Sequence, residues 1–230
     1  MLKTTLKFMG AAATAALLTS PALAGGDGEG EPVSVVVIDQ VQLNDVWSDM
    51  AVEVPLYAAD AISTSTAVGN AAAGLLKSGD IDLDVYQTLE GNVGAENRLS
   101  GGSAGTAIAT TTAYGNSTTG GTWDGTNFYR AEQTSNGDVS AYTDVDLENA
   151  YQAATSTTAI ANVSVPADEY GTNRAFQIQE SNGSVIAEPD VDMCCAGKSA
   201  TFATKAGATI RSVTDNPVDQ IIATDAEGQP

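Results

Sequence analysis

The sequence predicts an all-β fold: a β-solenoid of about eight rungs, 22 to 25 residues each, written as a 46-residue double repeat. Three observations carry this. The first is self-similarity at a fixed interval, the mark of a stacked architecture. AISTSTAVGN at 61–70 returns as AIATTTAYGN at 107–116 and AATSTTAIAN at 153–162, each 46 residues on. The second is a Gly or Asn cluster about every 11 residues, as at Lys77-Ser78-Gly79-Asp80 and Ser100-Gly101-Gly102. Short β-prone runs at such spacing indicate an all-β chain. The third is composition. Ala, Ser, Thr and Gly dominate and aromatics are 6%, so the apolar surface must be buried in a thin stacked form. The alternative all-β reading is a β-sandwich, which the regularity of the register disfavours.

Taken in order, residues 1–24 are predicted to be a signal peptide. Lys3 and Lys7 precede a short apolar run that closes on Ala22-Leu23-Ala24, a small-x-small cleavage site. The run is too short and broken to be a good membrane span. Residues 25–32 read as a flexible acidic leader and 33–216 as the repeat domain. Residues 217–230 read as a Pro-containing tail suited to capping one end.

Inside the repeat domain the register extends beyond the decapeptide. Gln87-Thr88-Leu89-Glu90-Gly91-Asn92-Val93 aligns with Gln133 to Val139 and with Gln179 to Val185. A half-period also appears. The dipeptides at Gly69-Asn70, Gly91-Asn92, Gly115-Asn116, Gly137-Asp138, Ala161-Asn162, Gly183-Ser184 and Gly207-Ala208 alternate 22 and 24 residues apart. Their chemistry predicts turns: Gly takes positive φ without a Cβ penalty, and Asn tolerates it. The flanking Thr, Val, Ile and Tyr favour strands. Ala71 to Lys77 is the one helix-like stretch, and it is too short to stand alone. Eight rungs at about 4.8 Å would form a rod about 35–40 Å long. Identical Gln columns at Gln87, Gln133 and Gln179 are expected to form hydrogen-bonded ladders.

These stretches resemble the curlin repeat of bacterial amyloid fimbriae. The likeness rests on Ser65-Thr66-Ala67-Val68-Gly69-Asn70-Ala71-Ala72 and on Gln87 to Gly94. The second glutamine of the family's unit appears in alternate units only. The sequence is most similar to the D-type holdfast anchor proteins of stalked alphaproteobacteria, which carry repeated Thr-Ala-x-Gly-Asn elements. That resemblance spans about 33 to 216. It implies a protein secreted across the outer membrane of a Gram-negative bacterium and held at the cell surface, fixing an adhesive polysaccharide to the envelope. It implies partners too: other curlin-like anchor subunits, an outer-membrane secretion lipoprotein, and further copies of the chain by self-polymerisation. The alternatives are a minor curlin-like fimbrial subunit and a polysaccharide-binding adhesin module.

Charge and residue content exclude other classes. The formal net charge is −20 and there is no histidine. Such a field repels nucleic acid. Without histidine the commonest general base and transition-metal ligand are missing. No Gly-x-Ser-x-Gly elbow or phosphate loop is present, so the chain is not expected to be an enzyme or to hold a cofactor. Asp80-Ile81-Asp82-Leu83-Asp84, Asp144-Val145-Asp146-Leu147-Glu148 and Asp190-Val191-Asp192 alternate, which sets the carboxylates on one strand face. They lack the glycine spacing of a calcium loop, so no metal site is predicted. A solvated face that resists edge-to-edge aggregation fits better. Cys194 and Cys195 are adjacent, too close for an unstrained disulfide with each other. Trp123, Phe128 and Tyr129 form the densest aromatic cluster and are the residues expected to contact carbohydrate.

Overall fold

The computed structural model describes residues 3–10, 33–168 and 170–211. The signal-peptide cleavage site, the acidic leader and the C-terminal tail lie outside the described residues. Within them the chain is all-β, with no helix. Nine strands follow in order: β1 (Lys3–Gly10), β2 (Ser34–Gln42), β3 (Val46–Leu76), β4 (Ile81–Leu89), β5 (Val93–Thr122), β6 (Thr126–Ser135), β7 (Val139–Asp168), β8 (Thr172–Ser181) and β9 (Val185–Arg211). The helix-like Ala71–Leu76 stretch is extended in β3. β-branched flanks and pairing to β5 override its local preference.

The strands form two sheets, β1-β3-β5-β7-β9 and β2-β4-β6-β8. All pairs are parallel except β1, which lies antiparallel along Val46–Glu53 of β3. The register is the repeat itself. Ala61 pairs with Ala107, which pairs with Ala153; Asn70 pairs with Asn116, then Asn162. The step is 46 residues through the middle. It is 47 from β2 to β4 and over Val46–Val54, and reverts after a register shift between Val54 and Tyr57. A second shift between Ala150 and Gln152 displaces the rest of β9 by one residue.

Each long strand bends back on itself. Val52 and Val54 pack in one cluster with Ala61, and the same holds for Leu99 with Ala107 and Val145 with Ala153. The bend in β5 lies at Gly101, whose φ of 122° only glycine adopts readily. A Cβ there would stand 2.1 Å from the carbonyl oxygen of Val54. Each 46-residue stretch thus runs out along a short strand and the first part of a long one, then returns along the remainder. The core between the two legs is shallow, and its inward residues are Ala, Val, Leu, Ser and Thr. Large side chains occur where the facing leg recedes to glycine. Leu83, for example, sits against Gly74 and Gly120.

This arrangement corrects the eight-unit reading. Stretches 46 or 47 residues apart stack; stretches 22 apart face each other across the core. Gly69, predicted as a turn, is inside β3. A Cβ on it would lie 2.9 Å from Leu89 and 3.1 Å from Val93, the side chains that flank the Gly91 corner. Gly115 and Asn116 are inside β5, and Asn162 is inside β7. Gly69 and Gly115 are therefore required by close approach, not by backbone reversal. Gly207 is also mid-strand, and the displaced register pairs it with Ile160. The corners are at Gly91-Asn92, Gly137-Asp138 and Gly183, each between strands. The positive-φ glycines are Gly79, Gly101 and Gly125.

Candidate functional site

The repeat writes side chains into columns, and each column has its own chemistry. The glutamine column runs through the core. Gln87 Nε2 donates to Gln40 Oε1 (2.8 Å), Gln133 Nε2 to Gln87 Oε1 (2.7 Å) and Gln179 Nε2 to Gln133 Oε1 (2.6 Å). The second amide hydrogens reach the facing leg, as Gln133 does to Val163 O at 2.9 Å. Asn70, Asn116 and Asn162 form a second buried column. Asn70 Nδ2 donates to Asn116 Oδ1 and Asn116 Nδ2 to Asn162 Oδ1, both at 2.8 Å. Each also donates across the core to a carbonyl beside the opposite corner: Thr88, Thr134 and Glu180. The Gly-Asn dipeptides of the two half-periods are thus coupled, the amide of one bracing the bend of the other.

Asn97 and the Asn127–Asn173 pair are buried amides that the sequence reading missed. The 46-residue identity of Asn127 and Asn173 was available in the sequence as a signal. At the corners the columns work through the backbone. Asp45 Oδ1 accepts the amide N–H of Asn92, Asn92 Oδ1 that of Asp138, and Asp138 Oδ1 that of Ser184, all within 2.9 Å.

The outer faces carry the charge. On the first leg of the long strands stand Asp49, Glu53, Glu96, Asp144, Asp146, Glu188, Asp190 and Asp192. Arg98 lies among them, 2.7 Å from Glu96 and 3.0 Å from Asp144. Its hydrogen bond to Asp144 raises its pKa further above the usual guanidinium range. The alternating acidic runs point outward as predicted, with Ile81, Leu83, Val145 and Leu147 buried behind them. Partial burial, with Asp82 and Glu132 nearby, pushes the Asp84 carboxyl above its ordinary value; Arg130 pulls it back. Among the described residues, no cluster of acids or cysteines has metal-binding geometry. Cys194 is an exposed free thiol.

The outer face of the short-strand sheet is different. Arg130 lies over the rings of Tyr86 (5.8 Å) and Phe176 (5.7 Å), and Arg174 over Phe128 (5.4 Å). The three residues expected to bind carbohydrate do not converge. Phe128 is half-buried on this face. Tyr129 is turned inward and fully buried, sharing a 2.8 Å hydrogen bond with Ser164; strand alternation puts neighbours on opposite faces. Burial raises the Tyr129 pKa, partly offset by hydrogen bonds to Ser164 and Thr118. Trp123 is exposed at the turn after β5, 5.6 Å from the ring of Tyr170. Beside it runs a groove of about 530 Å³ lined by Leu75, Leu76, Lys77, Thr122, Trp123, Ala167 and Asp168. An aromatic face next to hydroxyl, ammonium and carboxylate groups suits a sugar ring.

A family model for holdfast attachment protein D matches residues 57–227. The chain belongs to the holdfast attachment protein D family. The match begins at the bend of β3 and covers three of the four stacked stretches in full. Its span includes the asparagine column, the Trp123 groove and the upper part of the glutamine column. No curated protein and no solved structure matches the chain. Membership in the holdfast attachment protein D family assigns the chain to holdfast attachment at the cell surface, and that family is a structural one.

Proposed function

We propose that the chain is an exported β-solenoid that anchors the adhesive polysaccharide of the holdfast to the cell envelope. Four coils of 46 to 47 residues, at about 4.8 Å each, make a block about 15–20 Å tall. The carrying observation is the unbroken 46-residue register, in which buried amide ladders cross-link each coil to the next. Such a block is stiff, needs no cofactor and presents the same faces at each level. In this reading residues 1–24 are removed on export across the outer membrane through a secretion lipoprotein. The block is then held at the surface with partner anchor subunits by β-edge pairing. A deletion strain tests it. Anchoring predicts that cells make normal adhesive and shed it into the medium; adhesive retained on the deletion strain refutes it.

The groove beside Trp123 favours a second reading, direct contact with polysaccharide, which is compatible with the first. Trp123→Ala should then weaken retention of adhesive without lowering the amount of anchor protein on the cell.

A further inference from the structure

The two ends of the stack differ. In the first coil the inward residues of the return leg, Ala61, Ser63, Ser65 and Ala67, are 3% exposed or less. In the last coil the residues of the same columns, Ala200, Phe202, Thr204 and Ala206, are all exposed, Phe202 to 50%. Among the described residues no strand pairs beyond β8 and β9, edges of 10 and 27 residues. Edges that long and flat invite strand addition unless covered.

We propose that the last coil, residues 172–208, is the docking face for the first coil, residues 34–76, of a second copy of this chain, stacked parallel and in the same columns. The columns decide the occupant. Continuing each by one step puts Val46 on Val185, Val52 on Val191, Ala61 on Ala200 and Ala67 on Ala206. Ser63, a small residue, lands on Phe202, where space is needed. Gln40 lands on Gln179, which extends the glutamine ladder without a break. A shift of one residue would turn the apolar faces outward, so the register has one good solution.

The outer columns oppose this join at neutral pH. Asp49 would stack on Glu188 and Glu53 on Asp192 at about 4.8 Å. Within the chain the comparable step from Asp144 to Asp190 is relieved by Arg98 on Asp144. At the junction the neighbouring column brings Ala51, not a cation, over Asp190. Glu96 and Arg98 face Asp49 and Glu53 from β5. Tyr142, Asp144 and Asp146 face Glu188 and Asp192 from β7. Lys3 and Lys7 stand opposite Glu53 and Asp49 in the β1 register. That strand occupies the same edge, so docking requires it to leave. The proposal therefore rests on the reading of residues 1–24 as a cleaved leader.

The test uses the exported chain, its N-terminus fixed by intact mass. Sedimentation velocity across a concentration series should show weak head-to-tail association at pH 7.5 and low salt. Association should be about tenfold tighter at pH 4.5, as two like-charge pairs at this spacing in water imply. The pair Asp49→Lys and Glu53→Lys should bring about hundredfold tighter stacking at pH 7.5, a gain that misfolding cannot imitate. Adding Glu188→Lys and Asp192→Lys to the same chain should abolish that gain. A chain that stays monomeric at both pH values and after charge reversal overturns the proposal, as does a mass showing residues 3–10 retained. Adhesive lost from the deletion strain while the exported chain stays monomeric would refute stacking alone. Stacking with adhesive retained on the deletion strain would refute anchoring alone.

Discussion

The interior of the glutamine column is where a single substitution should do most damage. Gln133 is 1% exposed. Its amide makes three hydrogen bonds: to Gln87 Oε1 at 2.7 Å, to Val163 O at 2.9 Å and from Gln179 Nε2 at 2.6 Å. Gln133→Leu keeps the volume and deletes all three. Buried groups deprived of a partner cost about 1–3 kcal/mol each, while the leucine returns about 1 kcal/mol through apolar burial. The net loss should be about 2–5 kcal/mol. With a urea m-value of about 2 kcal/mol/M, the unfolding midpoint followed by circular dichroism should fall by roughly 1–2.5 M. Gln40→Leu, at the end of the same column, is the control. Its bond to Ala71 O lies at an exposed site, and Gln87 Nε2 keeps Ser117 O as an acceptor. Its loss should be about 0.5–1.5 kcal/mol. Gln87→Leu combined with Gln133→Leu should cost about 1–2 kcal/mol less than the sum of the two, because both ends of one bond leave together. Equal losses for Gln133→Leu and Gln40→Leu, or strict additivity of the pair, would refute the ladder as a source of stability.

Other positions test other parts of the structure. Gly115→Val should lower stability by about 3 kcal/mol or more, because even its Cβ would stand 2.5 Å from the Ala161 carbonyl oxygen and 3.0 Å from Leu89; a normal melting temperature would refute the close-approach role. Gly125→Ala, at φ 137°, should cost about 1–3 kcal/mol, measured by the same melt. Tyr129→Phe should cost about 1 kcal/mol and leave adhesive retention unchanged, whereas Trp123→Ala should weaken retention and leave the melting temperature unchanged. Asp84→Asn should raise the melting temperature slightly at pH 7 and not at pH 3. A carboxyl whose folded pKa is raised favours the fold only while protonated, so its contribution fades as pH rises through the folded value.

The sequence carried the strand content, the 46-residue register and the outward acids, because these follow from alternation and identity alone. Residue parity also held Tyr129: it is aligned with Leu83 by the register, and Leu83 alternates with Ile81 and Val85. The turn positions were harder. Gly-Asn is the same dipeptide whether glycine is needed for a reversed backbone or for lack of a side chain. Gly91 serves the first need beside a corner, Gly69 the second inside a strand, and no local feature separates them. The bends at Gly79, Gly101 and Gly125 fall in the Ser-Gly, Gly-Gly and Asp-Gly clusters that mark the 11-residue rhythm. Parallel stacking also had to be seen before Asn97 could be placed, since its amide reaches Ser63 O and Thr110 O on the facing leg.

The half-period explains why the repeat is 46 residues and not 23. If both halves of the unit were alike, a coil could slide by half a unit along the stack and still match its neighbour. Here the halves differ. The one with Gln87 meets a corner, and the one with Asn70 braces it through Thr88 O. A slide of 23 residues would place Asn70 near the glutamine column and Gly69 over a bend, which loses both ladders at once. The same asymmetry fixes the order in which copies could add, because the first coil's columns match only one level of the next chain. An attachment device under load gains from that arrangement. Slippage in a uniform stack needs only one register to fail and reform, whereas here the nearest alternative register is a full coil away.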